Sequence, residues 1–506
     1  MIIRRHLTQK ALVFFLIVAI FLATGLSLPV TAQEPMNDII TGFDDQEQSP
    51  SNDTRVNKVI GGPDESTGKK ADELDKVMDG FDQPSGGAEE KDGHSLRTSL
   101  PEWLEITGSL GMSSSINLRS HRAPPWKINV HGLSRLRTRA DLQADFKLPS
   151  SWRLRVAGHI FYDWAYLILD RDNFTDDVLH DNEKEVELGE AYIQGRLRPD
   201  LDIKFGRQIV VWGTSELLRV TDVINPLDQR EPGMVDIEDL RLPVAMTRLD
   251  YYLNNRWGIT GLAIHEVRFN KEPPFGSDFS PLTVPLPYED IPEFSFKNHE
   301  FAMALTGRLT GWDVSFHGAW LFNDNSHLEN AGQRTLIQKH SRLAMFGGTV
   351  QIARGNWLIK AEAALLKGLE FSNLPAQKKS RIDILAGVEY SGFRETTISL
   401  EAVNRHLLGY DEGLMISPDE KRENEFQSVL RINRDFYNDT LHLTFLVSAF
   451  GIRARDGSFE RAQIEYDWTD DISITFGAIF YQGGDKTFFK AIKDNDRMFL
   501  EFKYSF

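Results

Sequence analysis

The chain has no cysteine among its 506 residues. That absence excludes disulfides, thiolate metal sites and cysteine nucleophiles, and it suits an exported protein that avoids stray disulfides. Beyond residue 32, no stretch approaches the roughly 18 uninterrupted apolar residues that a membrane-spanning helix needs. Positive charge is scarce as well. The 57 Lys and Arg are outnumbered by 74 Asp and Glu, a formal net charge of −17, which argues against nucleic acid, whose phosphates require a basic footprint. The 13 histidines form no His-x-x-x-His or similar pair on one face, so no metal site is read. Asp170-Arg171-Asp172-Asn173 begins like a calcium loop but lacks the glycine and the oxygen ligand that should follow, and reads as a solvated acidic loop. No nucleophile motif accompanies His159, so neither an enzyme nor a cofactor is expected.

What is present begins with an export signal. Arg4, Arg5 and Lys10 precede an apolar run from Ala11 to Leu28, and Val30-Thr31-Ala32 sets small residues before a cleavage point near Gln33. Residues 1–32 therefore read as a cleaved signal peptide. Residues 33–100 are rich in Asp, Glu, Gly, Ser and Pro and too poor in apolar residues to offset their chain entropy. They read as a disordered acidic periplasmic segment. Within it, Ile39-Ile40-Thr41-Gly42-Phe43-Asp44 echoes Val77-Met78-Asp79-Gly80-Phe81-Asp82. Either Phe43 and Phe81 mark short motifs for a periplasmic partner, or the echo is chance in a biased composition.

From residue 101 onward, amphipathic segments of roughly ten residues recur, the pattern of membrane strands. Trp152, Leu154, Val156, Gly158 and Ile160 oppose Arg153, Arg155, Ala157 and His159; Ile472, Ile474, Phe476, Ala478 and Phe480 oppose Ser473, Thr475, Gly477, Ile479 and Tyr481. Tight links near Pro149, Pro199, Asn254, Gly311, Gly355, Gly392, Asn438 and Asp470 alternate with long polar loops at 167–183, 214–240, 268–298, 323–334, 404–420 and 483–494. Short turns at one end and long loops at the other describe an outer-membrane barrel of about 18 strands, or about 16 if the serine-rich segment 105–117 stands outside the wall. Trp152, Trp257, Trp312, Trp357 and Trp468 sit beside the tight links, and all but Trp257, whose phase is unclear, fall on the apolar face. That is an aromatic girdle. The chain closes on one more alternating strand: Met498, Leu500, Phe502, Tyr504 and Phe506 share a face, which resembles the terminal signal read by the outer-membrane barrel assembly machinery. The fold class is thus all-β, a transmembrane antiparallel barrel of residues 101–506 in outer-membrane lipid.

A barrel this wide leaves a lumen, and inward faces then carry function. On the strand around 135–147, Arg135, Arg137, Arg139 and Asp141 alternate away from Leu136, Thr138, Ala140 and Leu142; Arg153, Arg155 and His159 join them from the next strand. This basic wall is either one pole of a constriction field or a set of wall ion pairs. Further on, Glu190 points inward and is expected to pair with Arg207, and the alternation of Phe205 and Arg207 slips as though a bulge lay near Gly206.

Here Glu190-Ala191-Tyr192, Gly206-Arg207-Gln208, Trp212-Gly213 and Asn225-Pro226-Leu227-Asp228 occur in series. Over residues 185–250 the chain resembles a family of Gram-negative outer-membrane barrels classed as a domain of unknown function. The resemblance implies a transport role for lipidic or hydrophobic cargo alongside a periplasmic or inner-membrane transporter partner. It names no substrate. The loop 214–240 carries too many apolar residues to hang in water, so it is expected to fold into the lumen as a constriction, with Arg219, Asp222, Asp228, Arg230 and Glu231 supplying charge. Two functions follow as alternatives: a transport barrel of the outer membrane, or a non-conducting scaffold or surface-binding barrel.

Overall fold

A computed structural model describes residues 100–120, 131–236, 239–332 and 335–506. The expected signal peptide, and the acidic segment with Phe43 and Phe81 apart from Leu100, lie outside the described residues.

The strands follow the alternation closely. They are β1 (Leu104–Asn117), β2 (Gly132–Lys147), β3 (Arg153–Asp163), β4 (Lys184–Arg198), β5 (Leu201–Gln208), β6 (Val244–Tyr252) and β7 (Trp257–Ile264). Then come β8 (Glu300–Leu309), β9 (Trp312–Phe322), β10 (His327–Asn330), β11 (Leu336–Lys339), β12 (Arg342–Arg354), β13 (Trp357–Phe371) and β14 (Leu374–Phe393). The last are β15 (Thr396–Leu408), β16 (Asn424–Phe436), β17 (Leu441–Phe450), β18 (Gly457–Thr469), β19 (Ile472–Gly483) and β20 (Arg497–Ser505). Strands β10 and β11 form a small hairpin of their own, and the rest make one 18-stranded antiparallel sheet. It closes because β1 pairs with both β2 and β20, so that Leu110 stands between Ala140 and Tyr504. Phe506 completes the seam by exchanging two 2.9 Å backbone hydrogen bonds with Gly108. Full closure leaves no unpaired strand edge, the condition a sheet must meet inside a bilayer. The segment 105–117 therefore belongs to the wall, which settles the count at 18.

The two faces differ as lipid requires. Leu142, Ile160, Phe205, Met303, Phe316, Phe346, Ile384 and Phe476 stand exposed around the outside. A band of bare apolar side chains on this scale is stable only against hydrocarbon. Trp312, Trp357 and Trp468 are exposed on the same face at the short-turn end. Trp257 joins them, because Leu262 and Ile264 of β7 are buried inward and Trp257 has the opposite parity.

Two local expectations are corrected. No bulge lies at Gly206: β5 keeps unbroken register with β6, and its register with β4 runs straight through Gly206. The irregularity is one strand earlier, where β3 and β4 slip between Val156 and Gly158. Gly206 instead takes φ +130, and a Cβ there would stand 2.3 Å from the Ala191 carbonyl oxygen, so glycine is required at this spot. Arg207 sits opposite Ala191 and Ala245 on the outward side with Phe205. It donates to the Leu188 carbonyl at 2.6 Å and to Glu266 at 3.0 Å. Arg207 is therefore neither pore-lining nor the partner of Glu190, because register carries it to the other face.

Candidate functional site

The described residues between β5 and β6, 209–236 and 239–243, turn into the barrel and are fastened around much of its wall. The stems of this loop are clipped together first. Asn225 donates to the carbonyls of Gln208 at 3.2 Å and Leu242 at 2.9 Å and accepts from Val210 N at 2.8 Å. Asp222 takes Arg241 at 3.0 Å, Arg219 at 3.1 Å and the Trp212 amide at 3.2 Å. The Trp-Gly and Asn-Pro-x-Asp motifs thus shape the loop itself. Arg219 and Asp222 are engaged mainly with each other and with the loop backbone.

The first half of the loop lies against β6–β16. Trp212, Leu218, Val220 and Ile224 are buried among inward Met246, Ile264, Leu343, Met345, Leu385 and Val403. Charged wall residues pin this half. Glu362 on β13 accepts from the amides of Thr214 at 2.6 Å, Ser215 at 2.8 Å and Thr221 at 3.2 Å. Glu401 on β15 accepts from the Ser215 hydroxyl and from the Leu217 amide. Glu216 of the loop meets Lys360 at 3.0 Å and Arg431 at 2.7 Å. Sequence reading missed these wall residues, although Lys360-Ala361-Glu362 amid the apolar residues of β13 was the available signal: charges facing a lumen need partners.

The second half meets the charged wall. Glu231 pairs with Arg135 and, at 3.4 Å, with Arg137. Burial alone would raise the Glu231 carboxyl, but those guanidiniums hold it well below the usual carboxylate range. Arg230 bonds Asp228 at 2.5 Å and Glu185 at 3.1 Å. Arg461 of β18 holds Asp236, and the Tyr481 hydroxyl donates to the Pro232 carbonyl at 2.7 Å. Elsewhere on this wall, Arg139 pairs with Asp141 at 2.7 Å, Arg155 with Asp145 at 2.8 Å, and His159 with Glu185 at 3.0 Å. Glu190 lies 3.9 Å from Arg155 and accepts from Ile209 N at 3.1 Å. Arg153 stands opposite Lys147 and Gln194 on the same inward face. Of the two readings of this wall, the coordinates match extensive ion pairing.

A second long connection, 265–299, also reaches across. Lys271 binds Glu185 at 2.8 Å and Glu187 at 2.5 Å, and Asp278 reaches Arg497 of β20 at 3.1 Å. His159, Glu185 and Glu187 bring ligand atoms within 4.8 Å of one another. Lys271 already satisfies both carboxylates, so the cluster is chemically an ion-pair network.

The loop divides the space inside the barrel. A cavity of about 760 Å³ lies between its second half and the charged wall of β1–β4 and β18–β20. Another of about 710 Å³ lies between residues 217–229 and the strand ends and loops of β9 and β12–β17.

A family model described as a protein of unknown function (DUF1302) matches residues 127–506. The chain belongs to that family. The DUF1302 match extends the likeness well beyond the motifs of residues 185–250. No curated protein matches the chain. Among solved structures, Acinetobacter baumannii OccAB1 aligns with a TM-score of 0.49 and 11% identity, covering 83% of this chain and 99% of that one. Pseudomonas aeruginosa OccK2 (OpdF) in complex with glucuronate gives 0.46 and 11%, over 79% and 97% of the two chains. The outer membrane protein opdK from Pseudomonas aeruginosa gives 0.46 and 10%, over 80% and 100%.

Proposed function

We propose that this DUF1302 barrel is a transport protein of the outer membrane, in which residues 209–243 form a constriction separating two chambers of the lumen. The observation that carries the reading is the fastening of one loop to opposite walls, by Glu362 and Glu401 on one side and Arg135 and Arg461 on the other. A wide barrel narrowed by an internal loop selects solutes at that narrowing, through lining charge and apolar surface. Lipidic or hydrophobic cargo, handed over with a periplasmic or inner-membrane transporter partner, fits the apolar side of the cavity lined by Leu217, Val223, Leu343, Leu366 and Leu407. Phe43 and Phe81 are proposed as contacts for that partner. The same fastening also favours a second reading, a plugged and non-conducting scaffold. Single-channel recording in planar bilayers separates the two: current through the wild-type barrel supports transport, and electrical silence in both wild type and a loop-deleted barrel supports the scaffold.

A further inference from the structure

We infer that the cavity on the long-loop side of the constriction is a binding site for an amphiphile with a single carboxylate head, held by Arg405. Arg405 projects from β15 into this cavity. Its guanidinium donates to the Gln427 side-chain oxygen at 3.1 Å and to the Arg219 carbonyl at 3.4 Å, both uncharged acceptors. Asp383 stands directly opposite on β14, but both of its oxygens are taken by Arg381 at 2.7 Å. The other cations around the cavity have carboxylates: Lys421 and Lys486 share Glu425, Arg422 holds Asp456 at 3.0 Å, and Arg219 holds Asp222. Among the described residues, Arg405 alone in this group has no carboxylate at ion-pair distance.

A guanidinium cannot discharge by losing its proton, and Asp383 and Glu425 act on this one only from beyond ion-pair distance, so the half-buried group still has room for an anion in direct contact. Its planar fork suits a carboxylate held through two parallel hydrogen bonds. The surroundings specify the rest of the ligand. Leu217, Leu218 and Val223 of the loop and Leu343, Leu366 and Leu407 of the wall give the cavity an apolar side. The volume of about 710 Å³ falls in the range that encloses a small organic ligand. A small hydrophilic anion would leave that apolar side wet, and a neutral lipid would leave Arg405 unpaired. The inference deepens the transport reading and rests on it for its purpose, whereas binding itself is testable separately.

The test titrates octanoate, octanol and acetate into the full-length barrel in amphipol, followed by calorimetry. Octanoate is expected to bind roughly tenfold or more tightly than either of the others, the size of one charge-assisted hydrogen-bonded contact. Arg405→Gln should remove the preference for octanoate over octanol, Arg405→Lys should keep part of it, and Arg453→Gln on an exposed turn should change nothing. Equal affinity for octanoate and octanol in the wild-type protein overturns the inference without recourse to any variant, as does undiminished octanoate binding by a folded Arg405→Gln barrel. Discriminating octanoate binding by an electrically silent barrel would sink the transport reading and leave the site standing. Conductance without discrimination would do the reverse.

Discussion

The two halves of the lumen hold the same loop by different physics. Around β6–β16 the contact is mainly apolar, with Trp212, Val220 and Ile224 packed on Met246, Met345 and Leu385; of the charges there, Glu362 is committed to loop amides, and Lys360 and Arg431 hold Glu216 of the loop. Around β1–β4 and β18–β20 the contact is ionic, through Arg135 and Arg137 to Glu231, Arg461 to Asp236, and Arg230 to Glu185. Apolar burial contributes about 25 cal/mol per Å² and does not respond to salt. The ion pairs on the other wall are largely buried, so their attraction is offset by the cost of desolvating both charges and each contributes little net stability. The loop is thus seated firmly on one wall and tethered adjustably to the other. A constriction built this way widens from its charged side.

Removing the loop altogether should have the largest effect. Deletion of 214–236 abolishes both attachments and merges the two chambers, and the expected outcome is a several-fold rise in single-channel conductance, on the scale of opening a constricted pore. A conductance that stays at the wild-type value would mean that the loop does not set the narrowing.

Glu362→Ala attacks the firm side alone. It strips the acceptor from the half-buried amides of Thr214 and Ser215 and from the buried amide of Thr221. Leaving such donors unpaired costs about 1–3 kcal/mol apiece. Amide hydrogen exchange across 214–221 should therefore accelerate by roughly 10- to 100-fold. The barrel should still form, since its wall hydrogen bonds are untouched. If exchange at these amides is unchanged, the apolar contact alone seats the loop.

Salt should move the adjustable side. In 1 M salt the Debye length shrinks to about 3 Å, which weakens Arg137–Glu231 and Arg230–Glu185 more than the apolar packing and the carboxylate–amide bonds on the other wall. Exchange at residues 230–236 is expected to rise a few-fold while residues 214–224 keep their low-salt rates. Uniform acceleration along the whole loop would erase the distinction between the two walls.

Much of this was legible before any coordinates. Strict alternation carried the strands, because lipid outside and a lumen inside impose a period of two with a high penalty for slipping by one residue. Trp312, Trp357 and Trp468 beside the short turns took the lipid face for the same reason. Inward placement of Arg135 and Arg137 followed from that alternation, and the inward loop from its surplus of leucine and valine. Arg207 was misplaced because a glycine at φ +130 let the strand run straight where a bulge had been supposed. Glu190 was mispaired because the slip lies at β3–β4 instead. Glu362, Glu401 and Arg405 escaped notice because their importance depends on which loop backbone or missing carboxylate comes to face them, across about 150 to 190 residues of chain. Alternation reports a face and says nothing about the partner opposite.

The smallest expected effect concerns the protonation of Asp324, in the loop after β9, which lines the same cavity as Arg405. Burial is the main influence on its carboxyl, which is pushed up to about 7 against the pull of Arg219 and His340, with Asp222 adding to the rise. At pH 6 the group is therefore mostly neutral, and at pH 8 it is an anion. Octanoate keeps its charge at both pH values, so it meets one more negative neighbour at pH 8 and should bind more weakly there. One screened charge several ångströms away is worth roughly a two- to threefold change in affinity. The direction is fixed by the raised value: a carboxyl with an ordinary pKa would already be ionised at pH 6 and would give no change. Asp324→Asn should bind octanoate with equal strength at pH 6 and pH 8, matching the tighter wild-type value. His340 faces the same carboxyl and bonds Glu289 at 2.8 Å. A pH dependence that survives intact in Asp324→Asn would show that this cavity is insensitive to the charge of Asp324.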